Sequence, residues 1–248
     1  MANSSTAFHS VDMEKDRNLK QPTALRKVQS RKCATKRFGI RVVLIPFGYN
    51  GTDILIPFRK ARKQKAWNLI YDVPLLDESL DEAAKRLYQD CVPHQESSVY
   101  QVHTFGDALS IRTRWITIVY STIVNLRNNH STPEDWFQLD RRPLLTRMED
   151  QMIHAALQAL QKKVRHEPVG IYMLPPEFTL QQLQRMYELL LGHSISKQSF
   201  RQKMWESEIV IPLEETVTEG GRSQPKGLYR FNKKKYYELK RKGFFLDL

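Results

Sequence analysis

From Phe38 onward the apolar positions switch between two rhythms, a strand-like alternation and a helical 3–4 spacing, and the switches predict the elements. Arg41 to Phe47 and Thr52 to Phe58 are β-rich runs separated by Gly48-Tyr49-Asn50-Gly51, which predicts a hairpin. Trp67 to Val73 is another short apolar run. From Ser79 to Cys91 the spacing becomes helical: Leu80, Ala83, Ala84 and Leu87 share one face, and Asp77, Glu78, Asp81 and Glu82 stand near the amino end, where the helix dipole favours acids. Val99 to Phe105 and Trp115 to Leu126 return to strand character, with Ile116, Ile118 and Tyr120 alternating against threonine and valine. Hairpin, helix and further strands make a mixed sheet domain, α/β or α+β. Leu145 to about Val164 is a long helix with Met148, Met152, Ala155, Ala156, Ala159, Leu160 and Val164 as its stripe, suited to a core or to an interdomain connector. Pro168, Pro175 and Pro176 then interrupt the chain, so a boundary falls between His166 and Glu177.

The last seventy residues have a legible order. Thr179 is placed to cap a helix whose apolar stripe is Leu180, Leu183, Tyr187 and Leu190 and which Gly192 ends. After a short turn Ser196 can cap a second helix, Lys197 to about Glu206, with Phe200 and Met204 inward and Gln198, Arg201, Gln202 and Lys203 largely outward. Two strands, Ile209 to Leu213 and Gly227 to Phe231, flank a loop from Glu214 to Lys226. Helix, turn, helix and hairpin is the order of a winged helix-turn-helix. Its candidate DNA contacts are Ser196, Lys197, Gln198, Ser199, Arg201, Gln202 and Lys203 on the second helix, with Arg222 and Lys226 on the wing. The same packing unit also serves protein binding, and that alternative stays open.

Charge sharpens the picture. The net charge of +12 is unevenly spread: residues 1–37 hold 9 basic and 3 acidic side chains, 38–177 hold 17 and 16, and 178–248 hold 13 and 8. Basic ends around a neutral middle suit a nucleic-acid-binding module beside a neutral domain, or simply a solvated basic face. Residues 1–36 carry few large apolar side chains and read as a mobile basic tail. Cys33 and Cys91 are too few for a disulfide framework or a zinc finger. The polar start and the lack of a long apolar run predict a soluble, cytoplasmic protein without a membrane partner.

The strings Leu174-Pro175-Pro176-Glu177-Phe178-Thr179-Leu180-Gln181-Gln182-Leu183-Gln184, Ser196-Lys197-Gln198-Ser199-Phe200-Arg201-Gln202-Lys203 and Gly227-Leu228-Tyr229-Arg230-Phe231 resemble the carboxy-terminal domain of bacterial Nudix-related transcriptional regulators. The resemblance implies an α+β fold, a Nudix-like mixed sheet with helices over residues 37–166 followed by a winged helix over 167–248. It also implies a homodimer on a double-stranded DNA operator and a small-molecule effector: ADP-ribose, a sugar or a sugar phosphate. One departure is the wing, where Ser223-Gln224-Pro225-Lys226 replaces the family's Gly-Arg-Pro-Ala and leaves minor-groove contact to Arg222 or Lys226.

Aligned on Trp67, the Nudix box keeps Glu78 and Arg86, but its glycine falls on Asp72 and its carboxylate positions fall on Leu87, Asp90 and Cys91. Those residues cannot furnish the oxygen ligands of a hard divalent cation, so neither metal, cofactor nor catalytic residue is expected. Arg59, Lys60, Arg62, Lys63 and Lys65 follow the second strand and, with Glu78 and Arg86, are candidates for a phosphate-bearing effector; a solvated basic loop is the alternative. The runner-up functions are an active Nudix pyrophosphatase and a winged-helix regulator whose sheet domain only dimerises.

Overall fold

A computed structural model describes residues 38–60, 66–93, 98–106, 114–126, 135–217 and 226–243. The basic segment 1–36, Arg62, Lys63, Lys65 and Arg222 lie outside the described residues.

Strand β1 (Phe38–Tyr49) is the axis of the sheet domain. It pairs in parallel with β7 (Arg114–Asn125) along its whole length, from Phe38 opposite Arg114 to Tyr49 opposite Asn125. On its other side it meets β2 (Ile54–Pro57) and β5 (Ile70–Asp72), both antiparallel. The sheet order is β6-β7-β1-β2-β8, where β6 is Tyr100–Gly106 and β8 is Trp136–Gln138, and β5 joins at β1. Two two-residue strands, β3 (Arg59–Lys60) and β4 (Trp67–Asn68), form a separate ladder.

Alternation along β1 sends its two sets of side chains to opposite faces. Val42 and Leu44 join the apolar cluster under α1 (Leu80–Cys91). Val43, Ile45, Phe47 and Tyr49 join the cluster under α2 (Arg147–His166). Both helices start at capping boxes, Ser79 with Glu82 and Thr146 with Glu149, each cap being worth about 1 kcal/mol. The mixed sheet therefore lies between two helices.

The turn after β1 sits further on than the glycines suggest. β1 runs through Gly48 to Tyr49, and the reversal occurs at Asn50–Asp53, where the Asn50 side chain accepts the amides of Thr52 (2.9 Å) and Asp53 (2.8 Å) and Gly51 takes φ 107°. Gly48 serves packing instead: a Cβ there would meet Leu126 at 2.5 Å and Trp136 at 2.6 Å.

After the one-turn α3 (Gly170–Met173) come β9 (Phe178–Thr179), α4 (Leu180–Leu191), α5 (Lys197–Ser207), β10 (Val210–Val217), β11 (Lys226–Phe231) and α6 (Lys233–Arg241). The three strands form a small sheet in the order β10-β11-β9. Thr179 caps α4 reciprocally with Gln182, and Gly192 closes it in the left-handed conformation, as the residue pattern predicts. β10 continues past Leu213 to Val217, so Glu214 and Glu215 belong to the strand and not to the wing loop. α6 turns the lysine-rich segment into a helix whose Tyr236 is buried while Tyr237 is exposed. One apolar cluster runs without a break from β1 through α2 (Met152, Ala156, Leu160) into α4 and α5 (Met186, Leu190, Phe200, Met204). Among the described residues, no helix is long and apolar enough to cross a membrane.

Candidate nucleic-acid interface and effector-binding cavities

The α4–α5 turn is fixed by polar side chains of α4. Gln184 donates to the Ile195 carbonyl (2.8 Å), and the Glu188 carboxylate accepts the Ile195 amide (3.0 Å). Ser196 then caps α5, accepting the Ser199 amide. Phe200, Met204 and Ser207 are buried, which leaves Gln198 and Gln202 pointing directly away from the core, with Lys197, Arg201, Trp205 and Glu206 exposed on either side. Lys203 is half-buried on the flank. The structure therefore gathers the sequence candidates from Ser196 to Lys203 on one exposed helix, while Lys226 opens β11 opposite Val217 at the base of the wing.

Two exposed residues of this face escaped the sequence reading. Trp205 is 54% exposed and meets Tyr229 of β11 edge to face at 6.2 Å. Glu206 accepts a hydrogen bond from Gln202 Nε2 (2.8 Å). Helical phase would have found both, since they stand seven and eight residues after Gln198. At the helix end Glu208 has φ 53°, and its carboxylate pairs with Lys235 of α6, so that lysine is engaged within the fold.

In the sheet domain the residues of the degenerate Nudix box are tied to each other. Arg86 meets Glu78 at 2.8 and 2.9 Å and Asp72 at 2.8 Å. The Arg86 guanidinium holds the Glu78 carboxyl at about 2, well below its ordinary value. Leu87, on a carboxylate position, is fully buried in the core under α1. Asp90 lies 3.7 Å from Arg59, and burial pushes the Cys91 thiol up to about 12, where it stays protonated. A leucine, one ion-paired carboxylate and a protonated thiol do not fit a divalent cation. Lys60 lies over the Trp67 ring at 5.9 Å, whereas Arg59, which faces Asp90, also helps to lower the Asp72 carboxyl that Arg86 binds.

Two cavities among the described residues lie on the α2 side. An open groove of about 1140 Å³ runs between β6 and α2, lined by His103, Phe105, Arg147, His154, Gln158 and Lys162 among others. Arg142 at its rim is bound by Asp150 (2.9 Å), whereas Arg147 and Lys162 make no ion pair among the described residues. A smaller cavity of about 250 Å³ is lined by Arg41, Asn68, Tyr71 and Glu149. Arg41 donates to Thr117 Oγ1 (2.8 Å) and stacks on Tyr71 and Trp115 at 5.5 and 5.8 Å. The groove residues recur at helical spacing as the polar stripe of α2, a signal that attention to its apolar stripe hides.

Residues 170–231 match the family described as the NrtR DNA-binding winged helix domain. An ADPR responsive transcriptional repressor NtrR of Acinetobacter baylyi is 30% identical over 163 residues, 62% of this chain and 64% of that protein. Shewanella oneidensis NrtR, solved with a 27mer DNA, superposes with a TM-score of 0.64 at 23% identity over 80% of this chain and 95% of that one. A MutT/nudix family protein from Enterococcus faecalis gives 0.61 at 18% identity over 80% and 89%. These likenesses fix the fold as a Nudix-type sheet domain joined to a winged helix. With the matched winged-helix domain and the repressor relative, of whose length the chain spans less than two thirds, they make the chain similar to Nudix-related transcriptional regulators.

Proposed function

We propose that the chain is a transcriptional regulator that binds operator DNA through α5 and the wing and is switched by an anionic effector held in its sheet domain. The observation that carries this reading is the exposed face of α5, where Lys197, Gln198, Arg201 and Gln202 stand together on a helix of a family-matched winged domain. Those side chains are donors suited to phosphates and base edges. The division of labour follows the proposed domains, residues 37–166 sensing and 167–248 reading. A homodimer would place two α5 helices one helical turn of DNA apart.

The effector reading rests on the β6–α2 groove. Its Arg147 and Lys162, which make no ion pair among the described residues, suit phosphates, and His103, Phe105 and His154 offer flat faces to a base. The relative's response to ADPR makes ADP-ribose the first compound to test. The metal misfit at Leu87, Asp90 and Cys91 supports binding without hydrolysis. The deciding experiment titrates the full-length chain into the DNA flanking its own gene with and without ADP-ribose. Specific binding that ADP-ribose shifts supports the proposal; binding no tighter than to random duplex overturns the operator reading, and an unmoved titration overturns ADP-ribose as effector.

A further inference from the structure

We propose that Glu206 is a positioning residue for sequence recognition, holding the Gln202 amide so that it reads an adenine in the major groove. The inference rests on the DNA-binding reading of α5 and adds the base and the device. Gln202 points straight away from the core, and one of its amide N–H groups is taken by Glu206 at 2.8 Å. One N–H and the carbonyl oxygen remain, which is the donor–acceptor pair complementary to N7 and N6 of adenine. A free exposed glutamine has several rotamers to freeze on binding; a tethered one has fewer. Glu206 also needs an explanation on this face. A carboxylate close to phosphates opposes the counterion-driven attraction that basic side chains supply, so it weakens general affinity for DNA. Its one hydrogen bond among the described residues goes to Gln202, and no cation neutralises it there.

The test selects binding sites from a randomised duplex pool with the full-length chain, then measures affinity by fluorescence anisotropy. The expected outcome is one A·T pair per half-site whose replacement, or conversion to 7-deazaadenine, weakens wild type about tenfold. Gln202→Ala and Glu206→Ala should both lose that preference. Glu206→Gln should keep it, because its amide oxygen still accepts from Gln202, and both Glu206 variants should bind random duplex more tightly than wild type. Both positions are exposed, so unchanged melting temperatures serve as the folding check for the three variants. Preference unaffected by Glu206→Ala overturns the proposal, as does loss of preference at a C·G pair, which would mean that Glu206 reads cytosine itself. A wild-type selection that enriches no site overturns the DNA-binding reading and this inference with it, an outcome distinct from the other two.

Discussion

Arg86 binds together the segment from Asp72 to α1, and its effect can be followed by pH. Glu78 ionises at about 2 when folded against an ordinary 4.5, so the carboxylate binds fewer protons in the folded chain. Stability from the pair is therefore fully present above about pH 4.5 and is lost as pH falls toward about 2. We expect the melting temperature of Arg86→Ala to lie below wild type by a constant margin from neutral pH to about 5, with the margin closing below that; a margin that grew on acidification would contradict the assignment. Leu87 gives the second residue-scale prediction. Leu87→Glu sets an unpartnered carboxylate in a fully buried site, which should destabilise by several kcal/mol and restore no magnesium-dependent hydrolysis of ADP-ribose. Turnover detected in the wild-type chain and abolished by Glu78→Gln would overturn the non-hydrolytic reading.

At the scale of elements, the proposed DNA-binding role divides the exposed side chains of α5 between charge and readout. Lys197→Ala should weaken all duplexes about equally and reduce the salt slope by about one unit, whereas Gln202→Ala should relax preference at particular base pairs for about 1–3 kcal/mol. Identical salt slopes in anisotropy titrations of the two variants would refute that division. The sequence showed these elements well where a cap and a stripe coincide, as at Thr179–Gly192 and Ser196–Phe200, because both signals are local. It misled at Gly48, where glycine is required by Leu126 and Trp136 from distant strands, a constraint invisible from neighbouring residues. It missed β8, three residues long and held by pairing with β2. It also missed α6, whose lysines read as loose charge until Tyr236 packs and Glu208 takes Lys235. For the site, the α5 residues were legible as a run of donors, but the β6–α2 groove was not, since it needs a strand and a helix some forty residues apart to meet.

At the scale of the molecule, α2 belongs to both halves. Its Leu160 lies in the cluster that reaches Phe200, and Gln161 donates to the Leu190 carbonyl of α4 at 3.0 Å. Leu160→Ala should cost about 2–5 kcal/mol. Chemical denaturation followed by far-ultraviolet circular dichroism and by tryptophan fluorescence should give coincident transitions that shift together; separate transitions would show that the halves unfold independently. If the groove holds ADP-ribose, saturation at a hundred times its Kd should stabilise the folded chain by about 2.7 kcal/mol, and Arg147→Ala with Lys162→Ala should remove most of that increment. The shared core also limits how such proteins can be re-engineered. A graft of this sheet domain onto a foreign winged helix, cut at the prolines after α2, would leave Leu160, Val164 and Gln161 facing a surface they were not shaped for. A working chimera has to carry the α4 face with its sheet domain, so the unit that can be exchanged between such proteins is larger than either half.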